Sequence, residues 1–116
     1  VYAASADDVD KAVNAARTAF NDPSWREISG TERGDLLFKL AALIDEHKET
    51  LATIETWDNG KPYSVSLGDD LSEVIATIKY YGGYADKLHG QVIETTPNKL
   101  AYTIREPIGV CGQIIP

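Results

Sequence analysis

The chain has 116 residues, of which 43% are apolar, and carries eleven Lys and Arg against eighteen Asp and Glu, a formal net charge of −7. That is enough length for one modest domain, and Leu, Ile, Val and aromatic residues recur along all of it, which excludes a disordered chain. The acidic balance excludes a nucleic-acid partner or an anionic membrane surface, both of which need basic stripes, and no apolar run approaches the roughly 20 residues of a membrane span.

Ser5-Ala6-Asp7-Asp8 reads as a capping box with Asp8 in the place of the usual Glu. Val9, Ala12, Val13, Ala16 and Phe20 then recur at helical spacing, and Asn21-Asp22-Pro23 ends this first helix. Ser29-Gly30-Thr31-Glu32 is a second capping signal, followed by a stripe of Leu36, Leu37, Leu40, Leu43 and Ile44. A shorter third helix carries Leu51, Ile54 and Trp57 and stops at Asn59-Gly60-Lys61-Pro62, where Gly60 can take a positive φ and Pro62 cannot continue. The fourth and longest helix is predicted from Leu67 to Leu88, closed by His89-Gly90. Gly82-Gly83 inside it costs about 1 kcal/mol per glycine relative to Ala. Close packing against another element is the expected compensation, with a kink as the alternative.

The period then changes to two. Gln91 to Thr95 reads as a strand, Thr96-Pro97-Asn98-Lys99 as a turn, and Leu100, Tyr102 and Ile104 as one face of a second strand. Ile108 to Ile115 is an apolar run like a strand buried on both faces. A two-stranded hairpin is marginal by itself and a lone buried strand has no partner here. Another chain, or a continuation past Pro116, is therefore expected to supply the missing sheet. The carboxyl end reads as a cut rather than a terminus.

Little chemistry is legible in single residues. Cys111 is the one cysteine. It cannot form an internal disulfide, which points to a reducing compartment, and between Val110 and Gly112 it reads as a buried strand position rather than a nucleophile. His47 and His89 have no metal-ligand spacing. Gly109-Val110-Cys111-Gly112 is not a dinucleotide fingerprint, and no Walker loop, zinc-protease motif or nucleophile elbow is present. Asp69, Asp70 and Glu73 form an acidic group on the fourth helix, read either as a solvated face or as a cation or substrate contact. Asp58-Asn59-Gly60 reads as a helix-ending turn.

Five stretches in order resemble the NAD(P)-dependent aldehyde dehydrogenases: "DDVDKAVNAARTAF", "RGDLLFKLAALIDEH", "DNGKP", "KYYGGYADKLHG" and "EPIGVCGQIIP". The resemblance runs from about Asp7 to Pro116. It implies an α/β fold seen in part: amino-terminal helices, an oligomerisation β-hairpin and the first strand of a Rossmann-like cofactor domain, an incomplete aldehyde dehydrogenase fold. Residues 1–90 would be the helical part of the cofactor-binding domain, 91–106 the hairpin and 107–116 the first inner strand. Ile114, Ile115 and Pro116 would lie beside NAD or NADP, since ligands sit outside the carboxyl ends of such strands. Asp58 matches a residue that helps hold a structural monovalent cation in some members. Asp69 and Glu73 would stand near the substrate entrance, where relatives acting on apolar aldehydes carry apolar or small residues, so a small or polar aldehyde fits better. The family's nucleophilic cysteine, general-base glutamate, oxyanion-holding asparagine and phosphate-contacting glycines match no position here, so the 116 residues alone are expected to be inactive. The implied assembly is a homodimer or homotetramer through the hairpin, in the cytoplasm or alternatively the mitochondrial matrix. Two other readings stand beside it: a helical interaction module that adds its hairpin to a partner's sheet, and a semialdehyde or acyl-forming dehydrogenase of the same superfamily.

Overall fold

A computed structural model of the chain describes residues 3–115. It divides into two compact units, one formed by the two ends of the chain up to residue 28 and from residue 89, the other by residues 29–88.

In the first unit, Ser5 opens α1 (Ala6–Asn21) with the expected reciprocal box. The Asp8 amide donates to the Ser5 hydroxyl, and the Asp8 carboxylate accepts from the Ser5 amide at 2.9 Å. The chain does not simply stop at Asn21-Asp22-Pro23. Pro23 occupies the first position of a further short helix, α2 (Pro23–Arg26), where its missing N–H costs nothing, and Asp22 caps it by accepting from the Ser24 amide at 2.8 Å. One motif thus ends one helix and starts another. The hairpin pairs β1 (Val92–Ile93) with β2 (Ala101–Tyr102) antiparallel, Val92 opposite Tyr102 and Ile93 opposite Ala101. Its turn is the one expected: the Lys99 amide donates to the Thr96 carbonyl at 2.9 Å, with Pro97 supplying the fixed φ of the second position.

These strands are much shorter than predicted, and the run from Ile108 to Ile115 forms no strand. A strand is held by ladder bonds to a neighbour, and the described residues offer this run none. Cys111, expected to be buried there, is exposed for the same reason.

In the second unit, α3 (Gly30–Glu46) begins with the Ser29–Glu32 capping box. One residue, His47, separates it from α4 (Lys48–Asn59), which ends on Gly60 at φ 77°, the left-handed conformation expected of it. The long fourth helix begins earlier than predicted and is not uniform. It runs through α5 (Tyr63–Val65), a π-helical segment (Ser66–Asp70) and α6 (Leu71–Tyr84). Across the π-segment the Leu71 amide bonds to the Ser66 carbonyl, five residues back rather than four. The helix ends at Tyr84 rather than at His89, with the Lys87 ammonium donating to the Gly83 carbonyl at 2.6 Å.

The expected close packing at Gly82 is found. It is buried, as is Gly34 on α3, and the two helices cross there. A methyl group on Gly34 would sit 2.6 Å from the Gly82 carbonyl oxygen, so only glycine lets the backbones meet. The positions fully or nearly shielded from solvent are all small: Gly34, Ala41, Ala52, Ser66 and Gly82. The large apolar side chains predicted as stripes mostly face outward, Leu36, Leu40 and Leu43 among them, and Trp57 is 84% exposed.

Candidate functional site

The residues singled out in the sequence fall in three places. Asp58 is in the last turn of α4, exposed to solvent. Its neighbours build a tight corner. The Gly60 amide donates to the Thr56 carbonyl at 2.9 Å, and the Asn59 side chain donates to Glu55 at 2.5 Å while accepting from the Lys61 amide at 2.8 Å. An asparagine bonding two residues ahead mimics a backbone turn and holds the chain as it leaves the helix. A single exposed carboxylate can contribute to a cation site only alongside other oxygens. Among the described residues no group of three or more His, Cys, Asp or Glu is arranged to hold a metal ion.

Asp69 and Glu73 lie on the π-segment and in the first turn of α6, both exposed. Glu73 lines a shallow open groove with Asp70, Val74, Thr77 and Ile78, and Asp69 stands outside that lining. The carboxylate that the sequence reading left in the background, Asp70, has the defined partner. The Lys61 ammonium donates to it at 2.5 Å, with both side chains little more than one-third exposed. That bond holds the Lys61 ammonium above the usual lysine range, with Glu55 and Asp69 adding to the attraction and desolvation opposing it. Beside it, Ser66 is completely buried, and the Thr56 hydroxyl approaches its hydroxyl at 3.5 Å, a long contact. Ala52 and Thr56, one turn apart on α4, share the face that meets the π-segment.

Ile114 and Ile115 are exposed, the former completely, and Pro116 lies outside the described residues. The two isoleucines offer no backbone cradle for phosphate, which requires a glycine-rich loop at a helix amino end. The Cys111 thiol makes a weak contact with the Gly109 carbonyl at 3.7 Å. A carbonyl is an acceptor and cannot activate a thiol as a base would.

The model of the aldehyde dehydrogenase family matches residues 1–116, and the chain belongs to that family. It is 52% identical over 116 residues to an aldehyde dehydrogenase of Emericella nidulans, covering all of this chain and 23% of that protein. It is 51% identical over 111 residues to the mitochondrial aldehyde dehydrogenase of Homo sapiens, covering 95% of this chain and 22% of that one. Among solved structures, PnpE in complex with nicotinamide adenine dinucleotide superposes with a TM-score of 0.85 at 44% identity over 93% of this chain and 22% of its own. The helices and small antiparallel sheet therefore match the start of the aldehyde dehydrogenase fold. The chain spans less than a quarter of the curated relatives it matches. Among the described residues no helix is long and apolar enough to cross a membrane.

Proposed function

We propose that these 116 residues are the amino-terminal part of a dehydrogenase that oxidises a small or polar aldehyde to its carboxylic acid with NAD or NADP. The observation that carries the reading is the family match over residues 1–116 at about half identity to named aldehyde dehydrogenases. The NAD bound to PnpE supports the choice of cofactor. When bound, the nicotinamide accepts the hydride given up at the aldehyde carbon. Ile114, Ile115 and Pro116 then form part of the wall against which it lies, and Asp58 contributes to a structural monovalent cation site.

Residues 1–90 are on this reading the helical part of the cofactor-binding domain, 91–106 the hairpin that pairs with a neighbouring subunit in a homodimer or homotetramer, and 107–116 the first inner strand. The exposure of Val92, Leu100, Tyr102 and Ile104 supports a hairpin that packs on another surface. The compartment is the cytosol or the mitochondrial matrix, the latter supported by the mitochondrial relatives.

The test is turnover of the full-length protein on short polar and long apolar aldehydes with each cofactor. The reading predicts acid formation coupled to cofactor reduction and higher kcat/KM for the polar aldehydes, with none from the 116 residues alone. A full-length protein that oxidises none of them, or a 116-residue chain whose activity is lost on Cys111→Ser, contradicts it.

A further inference from the structure

We propose that Lys61 and Asp70 form a clasp that holds the π-helical turn and so sets where Asp69 stands relative to Glu73 on the face that an aldehyde approaches. The inference rests on the reading of that face as the substrate approach, and it adds Lys61, Asp70 and Ser66 as positioning residues.

The argument begins with the rarity of the element. A π-turn holds one more residue than the α-helical turn it replaces and has poorer backbone geometry, so it persists where its surroundings hold it, often at functional sites. Two holds are present. The Lys61 ammonium reaches Asp70, the last residue of the segment, at 2.5 Å. The buried Ser66, its first residue, sits against α4 with its hydroxyl facing Thr56. The corner that delivers Lys61 is itself fixed, by left-handed Gly60 and by the Asn59 side-chain oxygen Oδ1 accepting from the Lys61 amide. The "DNGKP" stretch is therefore more than a helix stop: it aims a lysine.

Removing the extra residue from the turn would rotate one side of the helix against the other by about 100°. The downstream side cannot follow, because α6 is locked at Gly82 against Gly34, where the backbones leave no room. Relaxation would therefore turn the upstream side, and Asp69, which lies within the segment close to its end, would shift by a part of that rotation relative to Glu73. The clasp consumes the charge of Asp70 and leaves Asp69 and Glu73 as the solvent-facing carboxylates of this stretch.

The experiment uses the full-length protein with Lys61→Gln, Asp70→Asn, Lys61→Arg and the exchange Lys61→Asp with Asp70→Lys. Asp70→Asn keeps the shape of the side chain and so guards against misfolding. The clasp predicts that Lys61→Gln and Asp70→Asn raise the KM of a polar aldehyde about tenfold, with the KM of NAD unchanged. It also predicts faster hydrogen exchange of the Leu71 amide, a readout independent of activity, and partial return of both by Lys61→Arg or the exchange. Aldehyde KM within twofold of the parent, or an equal rise of both KM values accompanied by a fall in kcat, overturns it. Asp69→Asn and Glu73→Gln separate the two readings. If they change aldehyde KM while the clasp variants do not, only the clasp falls. If they leave it unchanged, the substrate-approach reading falls and the clasp's role in substrate binding with it.

Discussion

Replacing Gly34 by alanine adds one methyl group between two helix backbones. Built on the present backbone, it lies 2.6 Å from the Gly82 carbonyl oxygen, inside the 3.0 Å below which such contacts are essentially never seen. The obstacle is backbone, not the end of a flexible side chain, so α3 and α6 must separate. Overpacking of this kind costs about 1–3 kcal/mol, and the upper end applies where the neighbour cannot yield. Alanine returns about 1 kcal/mol through its better helix propensity. The expected net loss is about 2 kcal/mol, which corresponds to roughly thirtyfold faster exchange of amides that open with this helix pair. Gly68→Ala is the control, since apart from its chain neighbours and its own helix backbone no atom lies within 4 Å of its added methyl group. It is expected to be neutral or stabilising by up to about 1 kcal/mol. The assay is native-state hydrogen exchange of α3 and α6 in the full-length protein. Exchange in Gly34→Ala as slow as in the parent would show that the crossing has room to spare and would refute the reasoning.

Ser29→Ala removes the cap of α3 and is expected to cost about 1 kcal/mol, read as faster exchange of the first-turn amides, while later turns of α3 change less. The carboxyls of Asp8 and Glu32 are held below the ordinary range chiefly by the backbone amides of Ser5 and Ser29, and that of Asp22 by its bonds from Ser24. A depressed folded-state pKa stabilises above the unfolded value, and the benefit is lost as pH falls through the folded one. These helix starts should therefore hold at neutral pH and fray only in acid below the ordinary carboxylate range. An acid titration followed by circular dichroism and amide exchange checks this, and fraying that begins near neutrality contradicts it. Cys111, exposed here, should react promptly with a thiol reagent in the isolated chain and much more slowly in the full-length protein, where its strand has neighbours. Equal rates in the two would contradict a buried strand position.

Local chemistry was the readable part of the fold. Ser5 with Asp8, Ser29 with Glu32, left-handed Gly60 and the turn at Thr96–Lys99 each follow from interactions within four residues, and each is found. The apolar stripes were also real, but Leu36, Leu40 and Trp57 on them face outward. The hairpin strands are shorter than the spacing suggested, and among the described residues the run from Ile108 to Ile115 has no ladder. The π-segment was illegible. Its apolar positions satisfy helical spacing closely enough to hide one inserted residue, and its holds join Lys61 to Asp70 and Thr56 to Ser66, nine and ten residues apart. Periodicity carries no signal for such pairs. The acidic group was visible, but which of its carboxylates is tied down was not.

The most direct measurement is hydrogen exchange of residues 108–115 in the full-length protein, with and without NAD, beside the isolated 116 residues. If this run is the first inner strand of a cofactor-binding sheet, its amides are strongly protected in the full-length protein and exchange freely in the isolated chain. NAD should then slow Ile114 and Ile115 further. Amides that exchange as freely in the full-length protein as in the fragment, with no response to NAD, would contradict the account at its centre.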